Sequence, residues 1–155
     1  MHRDLKPENI LCEAASDMDP DEILIKLTDF GFAVKYDPNG TKHTQSLGSP
    51  LYMAPELCAN KPYDNKVDVW AVGVIAYILL TGTPPFYDRS NRGNGKAEKI
   101  YADIIKNEPD YNMLLGAPDS AINFIKRALK KNQEVRASVS ELLEMPWMVE
   151  QSIEN

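Results

Sequence analysis

The sequence predicts a mainly α-helical domain with one small β hairpin at its front. Three observations lead there: the apolar run "VWAVGVIAYILL" from Val69 to Leu80, two later segments with apolar residues three and four apart, and one strand-like alternation in "EILIKLTDF". At 155 residues, 43% hydrophobic and 26% charged, the chain can bury a single core.

From Ile10 the chain is loop-like until "EILIKLTDF", where Ile23, Ile25 and Leu27 alternate with Leu24, Lys26 and Thr28. A short hairpin beside the opening loop follows, with the acidic, turn-rich "EAASDMDPDE" as its connection. Between residues 31 and 63, Gly31, Gly40, Gly48, Pro38, Pro50, Pro55 and Pro62 forbid a long regular element, so an extended surface segment is expected. Asp68 to Leu80 reads as a helix that is apolar all round and therefore central, ended by "TGTPPF". The polar loop "YDRSNRGNGK" leads to a helix over Ala97 to Lys106 with Ile100, Ile104 and Ile105 on one side. Another runs from about Ser120 to Lys130 on Ile122, Ile125 and Leu129, and a last short helix from Val139 to Glu144 is capped by Ser138 or Ser140 before "MPWM". With no repeat and no linker, residues 1–150 form one unit and 151–155 a short tail.

A net charge of -6 and a pI near 4.9 argue against nucleic acid or an anionic membrane as partner, since both require a basic face. Val69 to Leu80 is too short to cross a bilayer. Arg3, Asp4, Lys6 and Glu8 interrupt any apolar leader at the start. Cys12 and Cys58 lie far apart without a Cys-x-x-Cys pair, so neither a zinc site nor a disulfide framework is signalled, and a reducing intracellular compartment, the cytoplasm, is expected. Asp17, Asp19 and Asp21 have calcium-loop spacing, but Glu22 stands where Gly is needed and Thr28 where a bidentate Glu belongs. "GNGKA" lacks the first Gly of a phosphate loop and the hydroxyl after Lys96, and "KRALKK" places cations at a helix end that favours them.

Three short motifs follow one another: "HRDLKPEN" at residues 2–9, "DFG" at 29–31 and "APE" at 54–56. Together they resemble the catalytic loop, metal-binding motif and activation-segment end of eukaryotic protein kinases, and about twelve specified positions in order leave coincidence negligible. The resemblance continues through "DVWAVGVIAYILLTGTPPF" and "RASVSELLEMPWM". It implies the C-terminal, large lobe of the kinase fold, with an activation segment at residues 29–56. Lys6 is typical of the serine/threonine branch, and "GVIAYILLTGTPPF" with "MPWM" looks most like the calcium/calmodulin-dependent group. Asn132 and Gln133 replace the usual Asp-Pro, and Met145 replaces His before Pro146 and Trp147, departures that bear on the subgroup and not on chemistry.

The resemblance implies roles residue by residue. Asp4 would accept or orient the proton of a substrate hydroxyl and Lys6 would neutralise the γ-phosphate. Lys6, Glu8, Asn9 and Asp29 would face ATP, with Asn9 and Asp29 holding Mg²⁺. Phe30 would pack inward and Gly31 would permit the turn after Asp29. Ser49 would bond Asp4 and Lys6, Glu56 and Arg136 would form a buried ion pair, and Asp68 would cap the catalytic-loop backbone. Arg3 would receive a phosphorylated loop residue, with Thr41, Thr44 and Ser46 as candidates. Glu8 also resembles an acidic contact for basic protein substrates.

Nothing in these residues matches the family's Gly-rich loop, its strand Lys or the helix Glu that pairs with it. Met1 is therefore expected to be an internal or mis-assigned start of a complete serine/threonine kinase, the 155 residues being inactive alone. The alternative is a non-catalytic binding module or decoy, or a remnant without function. In either case one flank of the central helix is expected to lose its cover and to invite a partner.

Overall fold

The computed structural model describes residues 1–14, 23–87 and 96–150. The calcium-like spacing at Asp17 to Glu22, most of the polar loop that carries the phosphate-loop-like pattern, and the tail lie outside them. Strands β1 (Ile10–Ala14) and β2 (Ile23–Leu27) pair antiparallel, with Ile10 opposite Leu27 and Ala14 opposite Ile23. The helices are α1 (Pro55–Cys58), α2 (Lys66–Thr81), α3 (Ala97–Lys106), α4 (Asp119–Ala128), α5 (Val139–Leu143) and α6 (Pro146–Glu150). The architecture is mainly helical with one hairpin, as the sequence predicts.

Helix α2 is the axis of the core. It starts two residues earlier than predicted and ends at Gly82, which takes φ 72° and donates its N–H to Ile78 O at 2.7 Å. Val67, Trp70, Val74 and Tyr77 are buried on it, and α4 packs alongside through Ala121, Phe124, Ile125 and Ala128. The two helices meet most closely at Gly73, where a Cβ would lie 2.8 Å from Ala128 Cβ and 2.9 Å from Leu129 Cδ2. Gly73→Ala should therefore destabilise by about 1–3 kcal/mol through overpacking, read as a lower denaturant midpoint at unchanged slope.

Helix α2 is central but not buried all round, and one of its flanks is uncovered, as expected from the sequence. Val72 is 37% and Leu79 79% exposed, on the face that Asp68 and Ile75 share at helical spacing. The opening loop meets that face at Asp68, and Leu79 at its far end stays exposed. All five residues of β2 are exposed as well, although their alternation predicts one covered side.

Three further boundaries differ from expectation. Residues 31–63 are not wholly a surface segment: Met53 to Leu57 and Tyr63 are core, because Pro50 and Pro55 open short helical turns rather than interrupt them. Ile105 is exposed while Ile100 and Ile104 are buried, since one residue rotates about 100° around a helix. All of "MPWM" after Met145 is helical, with Pro146 first in α6 and Trp147 edge-on to Phe124 at 4.9 Å, so α5 is not the last helix. Ser138, not Ser140, caps α5, its Oγ accepting from Glu141 N at 3.2 Å while its own N–H reaches the Glu141 carboxylate. Ser138→Ala should cost about 1 kcal/mol in the same unfolding measurement.

Candidate active site

The opening loop is held by side chains from three directions. The two carboxylate oxygens of Asp68, in the first turn of α2, accept the backbone N–H groups of His2 and Arg3 at 2.8 Å each. Asn65, not Asp68, is the N-cap of that helix. Asn9 donates Nδ2 to Asp4 O at 2.9 Å and to Asp4 Oδ2 at 3.4 Å. The ring of His2 bridges the loop to the hairpin's end: Asp4 N donates to Nδ1 at 3.3 Å, so Nε2 carries the hydrogen that Thr28 O accepts at 3.0 Å. Arg3 has φ 71°, a left-handed backbone that a long side chain holds only under such constraint.

Asp4, 6% exposed, is the meeting point. Its Oδ1 accepts from both Ser49 N and Ser49 Oγ at 2.9 Å, and its Oδ2 lies 2.9 Å from Lys6 Nζ. Lys6 Nζ also donates to Ser49 Oγ at 2.9 Å, closing a three-membered ring of side chains. Ser49 approaches because Gly48, at φ 112°, lies where a Cβ would meet Arg3 O at 2.9 Å. Burial pushes the Asp4 carboxyl up, but the bonds and charge of Lys6 and the bonds from Ser49 outweigh it and hold it below the ordinary carboxylate value. The bond to Asp4 raises Lys6 against the pull of its own desolvation, helped by the charges of Asp4, Glu8 and Asp29.

The sign of the linkage follows. A depressed folded-state carboxyl contributes stability above its unfolded pKa and loses it as pH falls through the folded value. Lys6→Met should move the Asp4 carboxyl titration upward and shift acid unfolding to higher pH, both readable by carboxyl NMR and a pH series of melts.

Asp29, not Gly31, supplies the left-handed turn of the "DFG" segment, at φ 57°. Asp29 Oδ1 accepts from Gly31 N at 3.3 Å, and a Cβ on Gly31 would lie 3.1 Å from that oxygen, so the missing side chain serves the close approach. Phe30 does not pack inward: it is 60% exposed, its ring 5.1 Å from the His2 ring, on the side where no described layer covers the hairpin. Glu8 is exposed beside the loop.

Arg3 reaches the activation segment through its side chain. Nε donates to Phe32 O at 2.6 Å, and Nη1 to Tyr63 Oη at 3.0 Å and Gln45 Oε1 at 3.4 Å. Thr41, Thr44 and Ser46 are exposed, and Ser46 Oγ donates to Leu57 O at 3.1 Å. His2 lies within the opening motif, whereas Tyr63 carries no signal of its own in the sequence, because nothing marks which polar group its hydroxyl meets 60 residues away.

Behind the site, Arg136 and Glu56 form a buried bidentate pair, Nη1 to Oε1 at 2.6 Å and Nη2 to Oε2 at 2.8 Å. Arg136 also donates to the carbonyls of Lys130, Lys66 and Lys131 and lies 5.1 Å from the Trp70 ring centre. Lys66, which sequence reasoning misses, donates Nζ to Arg136 O at 2.8 Å. The departures at Asn132 and Gln133 serve this loop: Asn132 Oδ1 accepts from Glu134 N at 3.0 Å, and Gln133 Nε2 donates to Pro62 O at 3.1 Å.

The donor set suits a hard cation. Asn9 spends its Nδ2 on Asp4, leaving Oδ1 as the oxygen available, and Asp29 adds a carboxylate. Among the described residues no group of three or more His, Cys, Asp or Glu that could hold a metal ion gathers. Both cysteines are free, and burial pushes the Cys58 thiol up to about 12, so that it stays protonated at neutral pH. No helix among the described residues is long and apolar enough to cross a membrane.

Comparison with known proteins agrees with this geometry. The protein kinase domain family matches over residues 1–148, and the chain belongs to that family. It falls in the serine/threonine branch. Its relatives include a probable myosin light chain kinase of Dictyostelium discoideum, 40% identical over 96% of this chain and 36% of the relative. Calcium-dependent protein kinase SK5 of Glycine max is 39% identical over 99% of this chain and 28% of its own length. Calcium/calmodulin-dependent protein kinase type 1 of Caenorhabditis briggsae is 42% identical over 96% and 39% respectively. The chain thus spans between 28% and 39% of the length of these relatives.

Proposed function

We propose that these residues are the large lobe of a serine/threonine kinase that moves the γ-phosphate of ATP to serine or threonine hydroxyls of proteins in the cytoplasm. The observation that supports it best is the ring of Asp4, Lys6 and Ser49, a buried carboxylate and an ammonium 2.9 Å apart at the end of a tightly tied loop. A binding module has no chemical need for it.

Phosphoryl transfer makes little covalent demand, so positioning and charge carry it. Asp4, held ionised, orients the substrate hydroxyl and takes its proton as the new P–O bond forms and the γ-phosphorus parts from the bridging oxygen that leaves with ADP. Lys6 faces the charge that develops on the transferred group. Asn9 and Asp29 would hold Mg²⁺, which when bound neutralises phosphate oxygens. Glu8 would favour basic protein substrates, and Thr41, Thr44 or Ser46 would be the phosphorylated loop residue. The activation segment would span residues 29–56.

On this reading adenine and ribose need a second lobe, and the 155-residue polypeptide by itself neither holds ATP nor transfers phosphate. Purified alone, it should show no shift in melting temperature with Mg-ATP, because a ligand that binds only the folded form must raise stability. A clear, saturable shift contradicts this. The exposed face of Val72 and Leu79 favours a second reading, a module that docks a partner there, and such a module would be indifferent to Asp4→Asn.

A further inference from the structure

Tyr63 is fully buried, and its hydroxyl lies in the path between the activation segment and the opening loop. It accepts from Arg3 Nη1 at 3.0 Å and donates to Gln45 O at 2.9 Å, while Gln45 Oε1 receives a second bond from the same Nη1 at 3.4 Å. The tyrosine backbone is itself fixed by reciprocal bonds with His43, at 3.0 and 2.9 Å. Arg3 immediately precedes Asp4, holds a left-handed φ of 71°, and presents its carbonyl to Gly48, the neighbour of Ser49. A displacement of Arg3 therefore reaches Asp4 both along the chain and through Ser49.

We propose that Tyr63 is a positioning residue for the catalytic loop: its buried hydroxyl, together with Gln45, holds the Arg3 guanidinium without any phosphate and so keeps Asp4 aimed at the substrate hydroxyl. The proposal rests on the assignment of Asp4 made above. A strained arginine backbone persists because its surroundings over-determine it, and Tyr63 is the buried side chain that fixes the charged end. Removing one hydroxyl from a supporting shell loosens the reacting geometry more than it weakens substrate binding.

The test is steady-state peptide phosphorylation by the natural polypeptide that carries residues 1–155, treated with phosphatase so that no loop phosphate supports Arg3. Tyr63→Phe should lower kcat about tenfold with KM for peptide and Mg-ATP within about twofold. Tyr77→Phe removes an equally buried hydroxyl, one that donates to Asp110 O at 2.9 Å, and should leave kcat unchanged. An unchanged kcat in Tyr63→Phe, or an equal loss in Tyr77→Phe, overturns the proposal. So does a wild-type protein that is active before phosphatase and inactive after it. Should Tyr63→Phe fail to fold, Gln45→Ala at an exposed position decides: a drop of about threefold in kcat supports the clamp and no drop overturns it. Asp4→Asn separates the two levels, since a wild-type rate in that variant means that the assignment of Asp4 itself is wrong and this proposal falls with it.

Discussion

Replacing Arg136 with methionine is expected to remove a large share of the protein's stability. The substitution strands the Glu56 carboxylate, 5% exposed in the first turn of α1, and it also abandons the carbonyls of Lys66, Lys130 and Lys131. Breaking one partner of a buried pair costs about 3–5 kcal/mol, against a typical domain stability of about 5–15 kcal/mol. The loss should appear as a collapse of the denaturation midpoint. Removing the carboxylate as well, in Glu56→Leu with Arg136→Met, should recover much of it, because most of the penalty belongs to the charge left behind. Equal destabilisation in the double variant would mean that the carbonyl contacts, and not the ion pair, hold the loop.

The second large effect concerns chemistry. Asp4→Asn keeps an oxygen to accept from Ser49 N and Oγ but removes the charge that pairs with Lys6 and the base that takes the proton. In the kinase proposed above, transfer to peptide should fall by about 10²–10⁴ in kcat, the range of general-base contributions. The melting temperature should move little, since Lys6 is partly solvated and the loop remains tied by Asp68 and Asn9. A variant that loses activity only in step with its stability would place Asp4 in the fold rather than in the reaction.

Much of this arrangement is legible in the sequence, for physical reasons that differ by element. Helix α3 falls on its predicted bounds, Ala97–Lys106, because apolar spacing and polar flanks agree there. The motif residues Asp4, Lys6 and Ser49 meet in one ring although 45 residues separate Asp4 from Ser49. Periodicity says nothing of such a contact, and the motif resemblance alone points to it. What stays hidden depends on tertiary partners. Apolar pattern alone would bury Leu79 and β2, and the uncovered flank of α2 is foreseen only through the motif resemblance. Pro146 reads as a stop although it opens α6, and Tyr63 reads as one more apolar residue although its hydroxyl meets Arg3. Phe30 illustrates both limits, since its type predicts burial and its surroundings decide otherwise.

The central claim is that Asp4 and its ring serve transfer to serine and threonine hydroxyls. The most direct test captures the natural polypeptide through its C-terminal helices, labels a basic peptide containing Ser, Thr and Tyr with γ-labelled Mg-ATP, and identifies the phosphoamino acids. The account predicts label on serine and threonine. A polypeptide that binds Mg-ATP yet labels no residue, or labels tyrosine alone, would contradict it.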